Sequence, residues 1–464
     1  MFIQKKSFKF FFFTSLVFLV PYLLNFNNYV GSKFLFFIFH LSSFCLFLVA
    51  IKKNNSAFEF FTYFFLLLSF WFKFNCILYF DSIEITEGNF DLAISNYDNA
   101  TQIIITVFTA CICSSLIKKF LIKKFIKEVK YEMSNSFITF YKKYRIFNFI
   151  LFLSFLILVW STNFYYKIYS KGLENDNIAP LFKYFYSWSL TYGLAVFTSI
   201  FIYIDFLIFN KSKIFIFGIF ESFFTQMNIY SRSFLLSFFV YLRGFLLLIN
   251  IEKFKFSKHI VTKLILLILI LFFLSIYSTT KLRSSQFYEF NKSAEQITFI
   301  STFSNIFSLS VNRWVGIDAL LSVSQSQNLS FNFFLSAWQE EKKLKKKSFY
   351  IDNFFIRFDY SEFEKKNLNI VITPGIVAFL YYSGSAMFVF ITILCLILFC
   401  SAIEMLFLSA SLGNIILANI IGYALSVRFI HFGYVPFNTI NFFFSLLVTL
   451  ILIIIISLII KKND

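Results

Sequence analysis

Five residues in this chain have the types needed to hold an anion and move a proton: Arg313, Arg357 and Arg428, with Asp318 and His431. Arginine is scarce here beside lysine. A guanidinium grips phosphate oxygens through several directed hydrogen bonds, where an ammonium offers a compact charge. Arg428 and His431 lie three residues apart, so on a helix they can share one face. Asp318, His431 and Glu289 are the acid or base groups of the same region, and general acid-base catalysis needs one of them within hydrogen-bond reach of the reacting group. Each residue also has a structural reading. Arg428 can snorkel to a membrane interface. Arg313, set among Trp314, Val315 and Ile317, can pair with Asp318, because a buried charge needs a partner.

The elements that must position these groups are membrane helices. The 464 residues are 59% hydrophobic and 14% charged, with mean hydropathy +0.75, too apolar for an ordinary soluble surface. No barrel-like alternation is present, which leaves an all-α polytopic membrane helix bundle as the way to close backbone hydrogen bonds in lipid. Spans are expected at 8–25, 33–51, 57–80, 100–117, 147–166, 184–208, 261–278, 386–408, 411–429 and 438–460, about ten in all, each near the ~20 residues a crossing needs. The organisation is then an N-terminal transmembrane bundle, 1–279, with about seven spans; a large, partly helical external loop, 280–385; and three C-terminal transmembrane helices, 386–464.

Orientation follows from charge. Lys5, Lys6 and Lys9, Lys52 and Lys53, the cluster from Lys118 to Arg145, Lys211 and Lys213, and Lys461 and Lys462 fall on one side, which the positive-inside rule makes cytoplasmic. The stretch 81–99 carries Asp81, Glu84, Glu87, Asp91 and Asp98 without a lysine or arginine, and reads as external. Both termini are expected in the cytoplasm. Within 214–256, Glu221, Gln226, Arg232 and Arg243 interrupt two apolar runs. An arginine in lipid costs about 2.5–3.5 kcal/mol on insertion scales, so an interfacial or re-entrant hairpin is favoured over two crossings. In the external loop, apolar positions recur at helical spacing over 297–309 and 314–323, which suggests helices lying on the outer surface of the bundle.

Other chemistries find little support. The net charge of +18 sits mostly in short loops between apolar runs, where topology demands it, so nucleic acid is not an expected partner. The 77 phenylalanines read as coding bias. All six cysteines lie in apolar segments at spacings that fit no zinc or disulfide framework, and no metal site or cofactor is expected.

Six short motifs stand out: GNFDLAISNYD (88–98), SRSFLL (231–236), NRWVGIDALLSVSQS (312–326), SAWQE (336–340), TPGIVAFLYYSGS (373–385) and RFIHFGYVP (428–436). In these the chain resembles poorly characterised bacterial membrane proteins associated with surface polysaccharides, which are similar in turn to O-antigen and oligosaccharide repeat unit polymerases. The resemblance implies a many-helix bundle in the bacterial inner membrane. It implies a metal-independent glycosyltransferase joining undecaprenyl-diphosphate-linked glycan units at the outer face. Lipid-linked oligosaccharide and membrane lipids would be its partners, with a chain-length regulator as a further candidate. Arg313 and Arg428, with Arg357 as a further external arginine, would hold the diphosphate, and His431 or Asp318 would assist proton transfer. The alternatives are a lipid-linked glycan flippase, which predicts polar residues along several spans and broken helices, and a membrane protein without chemistry.

Overall fold

Long apolar runs in lipid have few ways to satisfy their backbone, and the described part of the chain adopts helices, with one isolated bridge from Met133 to Lys461 and no strand. The computed structural model describes residues 2–52, 55–80, 94–122, 133–170, 178–209, 212–231, 233–251, 258–287, 311, 314–340, 349–354, 373–431 and 436–461. In chain order the helices are α1 (Phe2–Asn25), α2 (Lys33–Ala50), α3 (Ala57–Tyr79), α4 (Ile94–Ile122), α5 (Asn135–Lys143), α6 (Arg145–Tyr166), α7 (Pro180–Phe209), α8 (Ile216–Asn228), α9 (Phe234–Ile251) and α10 (Lys258–Phe287). After these come α11 (Ile317–Ser324), α12 (Phe331–Trp338), α13 (Phe349–Asn353), α14 (Gly375–Tyr381), α15 (Ala386–Ala410), α16 (Ile415–Ile430) and α17 (Phe437–Ile460). Eight of them, α2, α3, α4, α6, α7, α10, α15 and α17, contain stretches long and apolar enough to cross a membrane; α1, α9 and α16 contain shorter apolar stretches. The protein is an all-α, multi-pass membrane bundle.

α16 is the hub. It packs against α3, α7, α9, α14 and α15, and buries residues on every side, from Ile416 and Leu417 to Phe429 and Ile430. At Gly422 an added Cβ would stand 2.5 Å from the Phe58 nitrogen and 2.7 Å from Glu404 Oε2, so only glycine admits this close approach. The contact brings the start of α3 to Glu404 of α15, whose carboxylate accepts from the Ala57 and Phe58 backbone N–H groups at 2.7 and 2.6 Å. Those donors have no partner inside their own helix, and a carboxylate is the favoured acceptor at a helix N-terminus. Beside it, Ser56 and Glu59 form a capping box, and Glu59 pairs with Lys118 at 2.6 Å.

In the 214–256 region, where an interfacial or re-entrant hairpin is expected, α8 and α9 form a hairpin packed into the bundle. Phe217 at the start of α8 stacks edge-on with Phe149, and Asn228 at its end offers its carbonyl to the Asn163 side chain. Phe149 and Asn163 are 14 residues apart on α6, about 21 Å at 1.5 Å per residue. α8 therefore runs lengthwise beside a membrane helix, and α9 returns along it. The arginine penalty does not forbid this, because Arg243 donates to Asn419 and to the Asn55 carbonyl at 3.1 Å and lies over the Phe60 ring. Arg232 and the basic stretch after α9 lie outside the described residues.

The surface-helix reading of 314–323 is corrected. All eight residues of α11 are buried, as are Gly375–Leu380 of α14. α11 packs on α4 and α14, and α14 packs on α15 and α16. Part of the polar excursion thus folds back into the bundle, and the polar face of α11 is covered along with its apolar one, Asp318 being paired with Lys73. The 297–309 segment lies outside the described residues. The junction of α14 with α15 marks one end of the bundle, the loop end. Tyr29, in the turn between α1 and α2, donates to Asp98 at 2.9 Å; burial first, and Asp98 beside it, hold its hydroxyl above the usual tyrosine range, so it stays a donor.

Candidate functional site

Arg428 lies in the last turn of α16, and its Nε and Nη2 donate to Thr439 Oγ1 of α17 at 3.1 and 2.8 Å. No carboxylate pairs with it among the described residues. Among the described residues its only hydrogen-bond partner is thus a neutral hydroxyl, which does not compensate the guanidinium charge.

Arg428 opens onto a cavity of about 510 Å³ bounded by α12, α14, α15, α16 and α17. Its walls are almost wholly apolar, with Phe334 and Trp338 on one side and Phe442 and Phe443 on another. α15 supplies a wall from Phe388, Thr392, Leu396 and Cys400, positions four apart that fall along one helix face. Ser385 caps that helix by accepting from the Phe388 N–H, which fixes where the wall begins. A Cβ built at Gly375 would stand 3.1 Å from the Ile430 carbonyl oxygen. α14 therefore starts beside the end of α16, and Ile376 and Leu380 close the slot from that side. Apart from Arg428, the polar contributions among the lining residues are two threonines and a thiol. The arrangement is an aromatic slot with one cation in its lining, suited to an anionic group carried on an apolar tail.

The other expected site residues are placed differently. His431 caps α16 one turn beyond Arg428, but its Nδ1 rests 3.1 Å from the Val427 carbonyl oxygen of its own helix, and it is not among the residues lining the slot. Asp318 is committed to an ion pair with Lys73 of α3, 2.7 Å apart, both side chains 4% exposed. It does not line the slot either. Lys73 also donates to the Trp314 carbonyl at 3.0 Å, so the partner considered for Arg313 is taken by a lysine about 240 positions away. A π turn at Leu67–Phe72 precedes Lys73, and such a turn rotates the following residues on the helix. Gly316 permits the approach, since a Cβ there would lie 2.8 Å from Ser69 Cβ. Asp318 Oδ1 has no hydrogen-bond partner among the described residues. Arg313, Arg357 and Glu289 lie outside the described residues.

Sequence reasoning passed over Thr439, Lys73 and the α15 wall. The four-residue recurrence of Phe388, Thr392, Leu396 and Cys400 was a readable signal, but in a helix this apolar most faces look alike. Among the described residues no three His, Cys, Asp or Glu side chains gather as a metal site. No protein-family model, curated protein or solved structure matches the chain.

Proposed function

We propose that the protein is a glycosyltransferase of the polysaccharide-polymerase kind. It would act on glycan units carried by undecaprenyl diphosphate at the outer face of a bacterial inner membrane, with both termini in the cytoplasm. The observation that carries the reading is Arg428, a guanidinium in the lining of an aromatic slot that has no carboxylate partner among the described residues. A lipid diphosphate fits both halves of that site. Its phosphates meet the arginine, and its tail takes the apolar walls.

In the proposed reaction the acceptor hydroxyl oxygen attacks the anomeric carbon of the donor glycan, and the bond from that carbon to the diphosphate oxygen breaks. The electron pair leaves on the lipid diphosphate, where Arg428 stabilises the growing charge. The hydroxyl proton passes to a base, and His431, one turn from Arg428, is the candidate. Asp318 is withdrawn from that role, since its pairing with Lys73 supports a positioning part instead.

A flippase is the second reading, favoured by the π turns in α3 and α7 and by charges within several helices. Most of these charges are engaged inside the bundle: Lys73 by Asp318, Lys118 by Glu59, Arg145 by Asp205, Arg243 by Asn419, and Glu404 by the start of α3. Charges so occupied support packing better than a pathway, and Arg428 is the exception that favours the enzyme.

The test is the surface glycan ladder of a strain that depends on this protein, read beside its level in the membrane. Arg428→Lys and Arg428→Gln should both shorten or abolish the ladder at normal protein level, because lysine keeps the charge but loses the fork. A normal ladder from both variants would overturn the site. A ladder that survives deletion of the gene would overturn the polymerase reading.

A further inference from the structure

The α8–α9 hairpin encloses a carboxyl group that the proposed reaction does not use. Glu221 of α8 is 3% exposed, and its surroundings come from four helices. Thr225, one turn further along α8, donates its hydroxyl to Glu221 Oε1 at 2.8 Å. The same hydroxyl accepts from the indole N–H of Trp160 on α6 at 3.1 Å. On the other side, Glu221 Oε2 stands 2.9 Å from Tyr241 Oη of α9, which also lies 3.2 Å from the Ala195 carbonyl oxygen of α7. Gly218 permits this approach: a Cβ there would lie 3.0 Å from Tyr241 Cδ1, so the ring rests directly against the α8 backbone.

No cation pairs with this carboxyl group among the described residues. Tyr241 is the titratable side chain that faces it, and the other titratable groups of the neighbouring helices are held elsewhere. Arg145 of α6 pairs with Asp205 of α7, which is ten residues beyond Ala195, about 15 Å along the helix. Tyr192 and Tyr203 of α7 bond to Ser445 and to the Leu412 carbonyl. Arg243 of α9 donates to Asn419 and to the Asn55 carbonyl. On α10, Tyr277 and Lys281 flank Thr279, whose hydroxyl meets Met227 Sδ at 3.8 Å. Met227 is six residues from Glu221, about 9 Å along α8.

The number of hydrogens decides the protonation state. Tyr241 has one hydroxyl hydrogen but two oxygen neighbours, and with an ionised Glu221 both would have to accept it. A carboxylate here would hold its charge between two neutral hydroxyls, and an isolated buried carboxylate is so unfavourable that the group takes up a proton instead. With the proton on Oε2 every contact is filled in one direction. Trp160 donates to Thr225, Thr225 to Glu221, Glu221 to Tyr241, and Tyr241 to the Ala195 carbonyl.

We propose that Glu221 is a proton-binding site, occupied at neutral pH, with the bound proton between Glu221 Oε2 and Tyr241 Oη. A carboxyl group in water is ionised at that pH, so the proton is taken up as the hairpin packs into the bundle. Nothing in this depends on the lipid-diphosphate reading of Arg428.

The experiment is infrared spectroscopy of the full-length protein at neutral pH in dodecyl maltoside, a detergent without carbonyl groups. A carboxylic acid gives a carbonyl band above the amide region that a carboxylate lacks, and the band shifts in heavy water. Wild type should show it, and Glu221→Gln should lose it. Glutamine can donate to Tyr241 and accept from Thr225 as the neutral acid does, so this variant should melt near the wild-type temperature. Tyr241→Phe keeps Glu221 but removes the acceptor of its proton, so the band should persist and move to higher frequency. This arm decides by itself if Glu221→Gln does not fold. Absence of an acid band from wild type would overturn the proposal, as would a band that both variants leave unchanged. A band lost in Glu221→Gln yet unmoved in Tyr241→Phe would overturn the placement of the proton against Tyr241.

Discussion

Replacing Lys73 by methionine removes the cation from a pair that is almost wholly buried and leaves the Asp318 carboxylate without its counter-charge. The two groups stand 2.7 Å apart at 4% exposure each, and Asp318 Oδ1 has no other described partner to fall back on. Breaking a buried pair from one side costs about 3–5 kcal/mol, because the remaining charge keeps its desolvation penalty. Replacing both partners by apolar residues of similar volume is neutral or stabilising by about 1–4 kcal/mol. The expected pattern is therefore a large loss for Lys73→Met and recovery in the Lys73→Met, Asp318→Leu double variant. It is measured as the midpoint of a denaturant titration in mixed micelles, completed as a double-mutant cycle. The functional arm follows from the same geometry. If Asp318 positions α11 without touching substrate, the double variant keeps the glycan ladder. A Lys73→Met protein within about 1 kcal/mol of wild type would refute the reasoning and return Asp318 to the list of groups free for chemistry.

Two further outcomes are expected. Gly422→Ala should destabilise by about 1–3 kcal/mol, as overpacking does, since its Cβ would meet the Phe58 nitrogen at 2.5 Å; a midpoint equal to wild type in the same titration would show that α3 and α16 can move apart freely. A cysteine replacing exposed Gln327, just after α11, should label with an impermeant maleimide in intact cells, whereas one replacing Lys52, after α2, should label only once the inner membrane is opened. The reverse pattern would invert the proposed orientation and move Arg428 to the cytoplasmic face.

Much of the architecture is legible in the sequence because lipid leaves the backbone few choices. Runs such as 386–408 and 438–460 must be helical wherever they sit, and no tertiary contact is needed to establish it. The arginine at 428 is likewise marked by its scarcity and its place at the end of an apolar run. What it faces is not marked. Thr439 follows after 11 residues, but Phe334 and Leu396 reach the same slot from other helices.

The tertiary structure decided everything that depends on which residue meets which. Composition by itself established a membrane bundle of α-helices, since hydropathy and helix length are local sums along the chain. It could not say that Asp318 belongs to Lys73, that Glu404 belongs to the start of α3, or that Arg243 has Asn419 waiting for it. Each pair joins residues more than 170 positions apart, and a one-dimensional pattern carries no record of its partner. For the same reason the insertion cost of an isolated arginine carries no record of the partners that Arg243 finds in the packed bundle, and an apolar period in α11 pointed to a surface that the folded chain does not leave exposed. Periodicity reports that a face is apolar. Whether lipid, a neighbouring helix or a ligand covers that face is settled only when the helices have packed.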